Sequence, residues 1–299
     1  MALRDYLATE VALDHAEGHL SRRDALKKLG LLGLSTVAAT GLLAACAEQT
    51  PQAAAPATPA TPAADPGYDV AAAIARTSTV TFPGTAGTLS GAYAAPTGTP
   101  PGAVLVVHEN KGLTDFIRAV TGRLAGDGYA ALAPDLLSRV GGTAAAPDAT
   151  AALGNISGAD LVADLRSGLK ELSRRHPGVP LAAVGFCFGG GMVWQLLDAG
   201  ASNLAVAVPF YGPVPDNPTF TGNRAAVLGI FAELDSRVNA GMGRADAALT
   251  SAGMTHEFVT VPGVDHAFFN DTGPRFNEPA ATQTYARVLA WFRSHLVAT

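Results

Sequence analysis

Apolar residues along the 299-residue chain fall into short continuous runs that alternate with helical stripes. S-T-V-T-F (78–82) and T-L-S-G-A-Y-A-A (88–95) predict an opening antiparallel pair of strands. A-V-L-V-V-H (103–108) is an unbroken apolar run of the kind buried on both faces in a parallel sheet. Phe116, Ile117, Val120 and Leu124 then recur at helical spacing and predict a helix over about 114–126. The alternation continues with strands at 129–134, 180–185, 204–210, 226–231 and 256–261. Helices are predicted over about 158–175, after Gly189, near 239–252 and over about 279–297. Strand, helix, strand, helix means parallel pairing through right-handed crossovers, an α/β class fold. Ligands in open sheets of this kind lie outside the carboxyl ends of the strands, so residues just past each strand are the candidates for chemistry.

The first fifty residues break this pattern. S-R-R-D-A-L-K (21–27) is followed by an uncharged stretch from Leu29 to Cys46 that ends L-A-A-C. A charged region, an apolar region and a small-residue cleavage site in that order describe a targeting segment. A spanning helix is the alternative, because the apolar run reaches the lower edge of the required length. The arrangement resembles a twin-arginine export signal joined to a bacterial lipobox, with Cys46 as the lipid-accepting residue. Ala, Pro and Thr make up nearly all of residues 47–66, a composition too poor in bulky apolar groups to pack and stiffened by its prolines. The expected organisation is therefore an export signal (1–46) outside the fold, a linker (47–66) and one folded domain (67–299). An exported protein tethered through lipidated Cys46 on the periplasmic side of a membrane is the localisation this predicts.

Charge and cysteine content remove several function classes. The formal charge is −5, with no long single-sign run, so nothing marks a nucleic-acid surface. The two cysteines, Cys46 and Cys187, exclude a disulfide scaffold and a cysteine-rich zinc or iron–sulfur module. No ligand cluster with metal spacing and no Gly-rich phosphate loop is present, so no metal or cofactor is expected.

The strand ending at Gly185 runs into G-F-C-F-G-G, which puts Cys187 between Gly185 and Gly189 directly before a helix. That is the form of a nucleophile elbow with Cys in place of Ser, in which bulky flanking residues would strike the neighbouring strand and helix. The following helix N-terminus favours thiolate over thiol. A thiol nucleophile needs a base, and the base an orienter, in chain order nucleophile, acid, histidine. His266, in V-P-G-V-D-H-A-F-F-N just past a strand, is favoured as base over His256 and His295. Asp235 is favoured as its orienter, with Glu233 and Asp265 as competitors. Glu109 follows the first parallel strand at the same sheet edge, and the backbone N–H groups of Asn110 and Phe188 are candidates for an oxyanion hole.

At these residues the chain resembles the dienelactone hydrolase family of α/β-hydrolases. The resemblance spans roughly residues 80–297 and rests on H-E-N-K-G-L, Y-A-A-L-A-P-D-L-L, G-F-C-F-G-G, P-F-Y-G and D-H-A-F-F-N-D, in that order. It implies an α/β-hydrolase fold with Cys187 as nucleophile, His266 as base, Asp235 as orienter and Glu109 as a carboxylate contacting the thiol. Family members hold the substrate carboxylate with arginines. One of those positions is Asn270 here, and the segment holding the other, A-A-A-P-D-A-T-A-A-L-G-N, has no cation; Arg139 and Arg275 are possible substitutes. The expected activity is hydrolysis of a small-molecule ester or lactone by a monomer through a thioester. General carboxylesterase activity on neutral esters and a non-catalytic ligand-binding lipoprotein on the same fold are the alternatives.

Overall fold

A computed structural model describes residues 3–49 and 69–296. Its sheet has eight strands: β1 (Ser78–Gly84), β2 (Gly87–Ala94), β3 (Ala103–Val107), β4 (Ala130–Pro134), β5 (Leu181–Phe186), β6 (Leu204–Phe210), β7 (Ala226–Ala232) and β8 (His256–Val261). The spatial order is β1-β2-β4-β3-β5-β6-β7-β8. Only the β1–β2 and β2–β4 pairings are antiparallel; the others are parallel. The central strands β3, β4, β5 and β7 are buried at every position, which is why they read as continuous apolar runs rather than as alternation. β8, at the edge, is mostly half-buried and mixes polar and apolar residues.

Helices cover both faces. In chain order they are α1 (Leu3–Ala16), α2 (Arg22–Leu31), α3 (Thr36–Gln49), α4 (Val70–Ile74), α5 (Asp115–Gly126), α6 (Ala149–Gly154), α7 (Gly158–Arg175), α8 (Phe188–Asp198), α9 (Ser236–Asn239), α10 (Met242–Ser251) and α11 (Glu278–His295). Caps set several boundaries: Ser157 accepts from Asp160 N at the start of α7 and Asn277 accepts from Ala280 N at the start of α11. The single helix predicted near 239–252 is two, because the chain turns between Asn239 and Met242.

The expectation that residues 1–46 lie outside the fold is corrected by α1, α2 and α3. Tyr6, Leu7, Val11, Ala25, Leu29, Leu32, Leu43 and Cys46 join the same buried apolar cluster as the sheet. Polar links also fix this leader to the body, among them Lys28 Nζ to Asp148 at 2.6 Å and Arg4 to Asn155 Oδ1 at 3.0 Å. The Leu29–Cys46 run is not one helix. Gly33 takes φ +86°, which ends α2, and Ser35 Oγ accepts from Ala38 N to start α3. Among the described residues no helix is long and apolar enough to cross a membrane. Of the expected linker, residues 50–66 lie outside the described residues.

Candidate active site

The sharpest backbone feature sits where β5 meets α8. Cys187 occupies φ 56°, ψ −119°, a conformation that costs on the order of 1–3 kcal/mol for a residue with a Cβ. The glycines on either side make it feasible. A Cβ on Gly185 would lie 2.2 Å from Gly189 O, and one on Gly189 would lie 2.2 Å from Val107 O. Both are backbone collisions that no rotamer change relieves, so the elbow needs glycine at both offsets. Phe188, the first residue of α8, supplies one of the first-turn N–H groups that have no partner within a helix.

Three loops at the carboxyl edge converge on this sulfur. The loop after β8 carries His266, whose Nδ1 lies 2.5 Å from Asp235 Oδ2. Asp235 follows β7 and also caps α9 by accepting from Val238 N. The two acids left open beside it are engaged elsewhere: Asp265 accepts from His266 N at 2.6 Å, and Glu233 accepts from Gly263 N at 2.7 Å. His256 bonds Asp246 and Met254 O, and His295 stacks on Trp291, so neither histidine reaches the sulfur. The T-shaped ring of Tyr211, from P-F-Y-G, packs 5.0 Å from that of His266 and steadies its plane.

Glu109 follows β3. Its Oε2 accepts from Asn270 Nδ2 at 2.7 Å, so the residue that stands at one family arginine position neutralises nothing and holds Glu109 instead. Burial, opposed by His266 and Lys111, pushes the Glu109 carboxyl up to about 7. Arg139 is tied to Asp164 and Asp160 on α7 and lies outside the cavity at the elbow. Arg275 lines that cavity, which has a volume of about 180 Å³ and is also bounded by Glu109, Asn110, Cys187, His266 and Asn270.

The remaining wall comes from residues that the sequence reading placed outside the fold. The Tyr6 hydroxyl is 3.3 Å from Cys187 Sγ, and the thiol points to Glu10 Oε2 at 3.8 Å. That same oxygen is 3.6 Å from His266 Nε2, while the other Glu10 oxygen is ion-paired with Arg237. Thus Glu10, not Glu109, is the carboxylate hydrogen-bonded to the sulfur. One atom each of Glu10, Cys187 and His266 fall within 4.8 Å of one another. Burial, reinforced by Glu10, pushes the Cys187 thiol up. Burial works to lower His266, yet Glu10, Cys187 and Asp235 outweigh it and hold the imidazole well above its ordinary value. The carboxylates of Glu10 and Asp235 thus favour the imidazolium form of His266, while burial and Glu10 favour the thiol form of Cys187. A stripe of Tyr6, Glu10 and Asp14 at four-residue steps was legible in the sequence. So was the acidic character of residues 1–20, which hold one basic and four acidic side chains, unlike the basic start of an export signal.

A cysteine elbow on a mostly parallel eight-stranded sheet, with acid and histidine on the following loops, defines a protein of the α/β-hydrolase fold. The dienelactone hydrolase family model matches residues 89–296, and the chain belongs to that family of carboxylic-ester hydrolases. An Escherichia coli protein provisionally named carboxymethylenebutenolidase is 31% identical over 212 residues, covering 66% of this chain and 78% of its own. A Methylorubrum extorquens protein of the same provisional name is 30% identical over 218 residues, covering 67% and 75%. Among solved structures, a Klebsiella pneumoniae protein provisionally described as a dienelactone hydrolase superposes with TM-score 0.65 at 27% identity, covering 73% of this chain and 98% of its own.

Proposed function

We propose that the protein hydrolyses a small carboxylic ester or lactone through a thioester on Cys187, with His266 as base and Asp235 as its orienter. The carrying observation is the strained, glycine-flanked Cys187 in the same cavity as a histidine bonded at 2.5 Å to Asp235. In the first half-reaction the thiol proton passes to neutral His266 and the sulfur attacks the carbonyl carbon. The oxyanion forms toward the N–H groups of Asn110 and Phe188, each worth about 3 kcal/mol if well aligned. Collapse breaks the ester C–O bond, and the leaving alkoxide takes the proton from His266. In the second half-reaction His266 deprotonates water, which attacks the thioester and releases the acid and the thiol. Asp235 keeps its proton off throughout, since His266 holds its carboxyl below the ordinary range against the effect of burial.

Asn270 bears on the substrate. Because it is hydrogen-bonded to Glu109 rather than free to meet an anion, it supports neutral esters as substrates alongside lactones. The leader's Ser21–Lys27 and Leu43–Cys46 pattern supports export and tethering through Cys46. With Cys46 5% exposed, lipid attachment there requires α3 to leave the body.

The test is turnover of p-nitrophenyl acetate by the purified full chain. Cys187→Ala is expected to lower kcat at least a thousandfold, and a variant of undiminished activity would overturn the proposal. A panel of lactones, neutral short-chain esters and anionic esters then ranks the substrate classes.

A further inference from the structure

The cavity at Cys187 is small, about 180 Å³, against the roughly 300–1,000 Å³ usual for a ligand site. The shortfall has an identifiable cause, for α1 stands where a substrate would approach. Tyr6, Glu10 and Asp14 recur every four residues and so share one face of that helix. Tyr6 touches the sulfur, Glu10 meets both His266 and Arg237, and Asp14, with Glu17 just past the helix, faces Arg275. Arg237 also lies over the Tyr6 ring at 4.7 Å. The acids of the helix and its end meet cations of the body, Glu10 against Arg237 and Asp14 with Glu17 against Arg275. Leu7 and Val11, alongside them, are buried and anchor the helix by apolar packing.

We propose that α1 is an acidic plug, a pseudosubstrate helix in the same chain that closes the hydrolase site until it is displaced. The plug blocks the reaction in two ways. Tyr6 and Glu10 fill the space beside the sulfur that an acyl group must enter. Glu10 also favours the imidazolium form of His266, and a protonated imidazole cannot accept the thiol proton. Displacing α1 removes the carboxylates from Arg237 and Arg275, opens the cavity and returns His266 to use as a base. On the export reading of the leader, handling of residues 1–46 at a membrane and opening of the site are one event. The inference rests on Cys187 being the nucleophile, but its test reads access to the sulfur independently of turnover.

The experiment compares the full chain with Leu7→Lys, Val11→Asp and the isosteric Glu10→Gln. Site-resolved mass spectrometry follows alkylation of Cys187 by iodoacetamide, which is small, and by fluorescein maleimide, which is larger than the cavity. Hydrolysis of p-nitrophenyl acetate is measured in parallel, and circular dichroism melts establish that the sheet domain stays folded. The expected result is slow labelling of the unaltered chain by the bulky reagent and labelling at least tenfold faster in each variant, with hydrolysis rising severalfold. Equal labelling of all four chains would overturn the plug. So would faster labelling accompanied by loss of hydrolysis, since α1 would then be a required wall of the catalytic site. If either buried-site variant lost the body's fold, Glu10→Gln carries the comparison, because it keeps the size and shape of the side chain. Absence of hydrolysis in every chain would refute the hydrolase reading and leave the labelling rates to decide the plug.

Discussion

Replacing Glu109 by Gln tests the electrostatics of the site through stability. The side chain is 5% exposed, and burial pushes its carboxyl from the ordinary 4.5 to about 7. A carboxyl raised in the folded protein binds its proton more tightly there than in the unfolded chain. Its contribution is therefore fully present below about pH 4.5 and is lost as pH rises through about 7. At ~1.36 kcal/mol per pH unit, the gap from 4.5 to about 7 corresponds to about 3 kcal/mol lost between pH 4.5 and pH 8. Glutamine has the shape of the protonated acid, carries no charge at any pH and can still accept from Asn270 Nδ2 through its amide oxygen. Wild type and Glu109→Gln should thus be of similar stability at pH 4.5, while at pH 8 the variant should be the more stable by about 3 kcal/mol. For a domain of this size that is a melting temperature roughly 6–12 °C higher. Urea or thermal melts at several pH values between 4.5 and 8 provide the assay. A difference that stays below about 1 kcal/mol across the range would refute the burial argument, meaning that water or a cation reaches the carboxylate in the folded protein.

Other outcomes follow from the same geometry. Asp235→Asn keeps the size of the side chain but removes its charge and replaces one carboxylate oxygen by an NH2 group, so the histidine loses the ionic partner that holds it in place. It should lower kcat/KM on p-nitrophenyl acetate by about 10²–10⁴ with little change in melting temperature. Gly189→Ala drives a Cβ to 2.2 Å from Val107 O. Overpacking of that kind costs about 3 kcal/mol, so the melting temperature should fall by roughly 6–12 °C and activity should be lost with the elbow. Asn270→Ala leaves Glu109 without its amide partner, and rates measured against pH should show the Glu109 titration moved upward. Metabolic labelling with palmitate, lost in Cys46→Ala, would establish the lipid tether, and an unlabelled wild-type chain would exclude it.

The contrast between sequence and structure is sharpest between the two ends of the site. Gly185, Cys187 and Gly189 could be read directly, because the steric demand of the elbow is local: a tight strand-to-helix turn tolerates only glycine at those offsets whatever surrounds it. Strand positions were legible for a similar reason, since a strand buried on both faces must be apolar at every residue. His266 and Asp235 were legible as candidates from their place after strands, but Glu233 and Asp265 stood equally near in sequence. Only the folded loops sent one carboxylate to the imidazole and the other two to backbone N–H groups.

The packing of the leader against the body was missed because its composition is compatible with two fates. A weakly apolar stretch flanked by charges serves an export signal, and the same stretch can pack as short helices when a turn at Gly33 divides it and a body offers a matching surface. That surface is assembled from residues far away in the chain: Glu10 meets Arg237 across 227 residues, and Tyr6 meets Cys187 across 181. Charge pairs over such separations have no signature in local periodicity. By itself, then, the sequence determined the sheet, the elbow and the thiol it presents, all of which follow from short-range sterics and burial. The tertiary structure alone decided which acid serves the histidine, what Asn270 does in place of an arginine and what closes the site, because each depends on surfaces brought together only by folding.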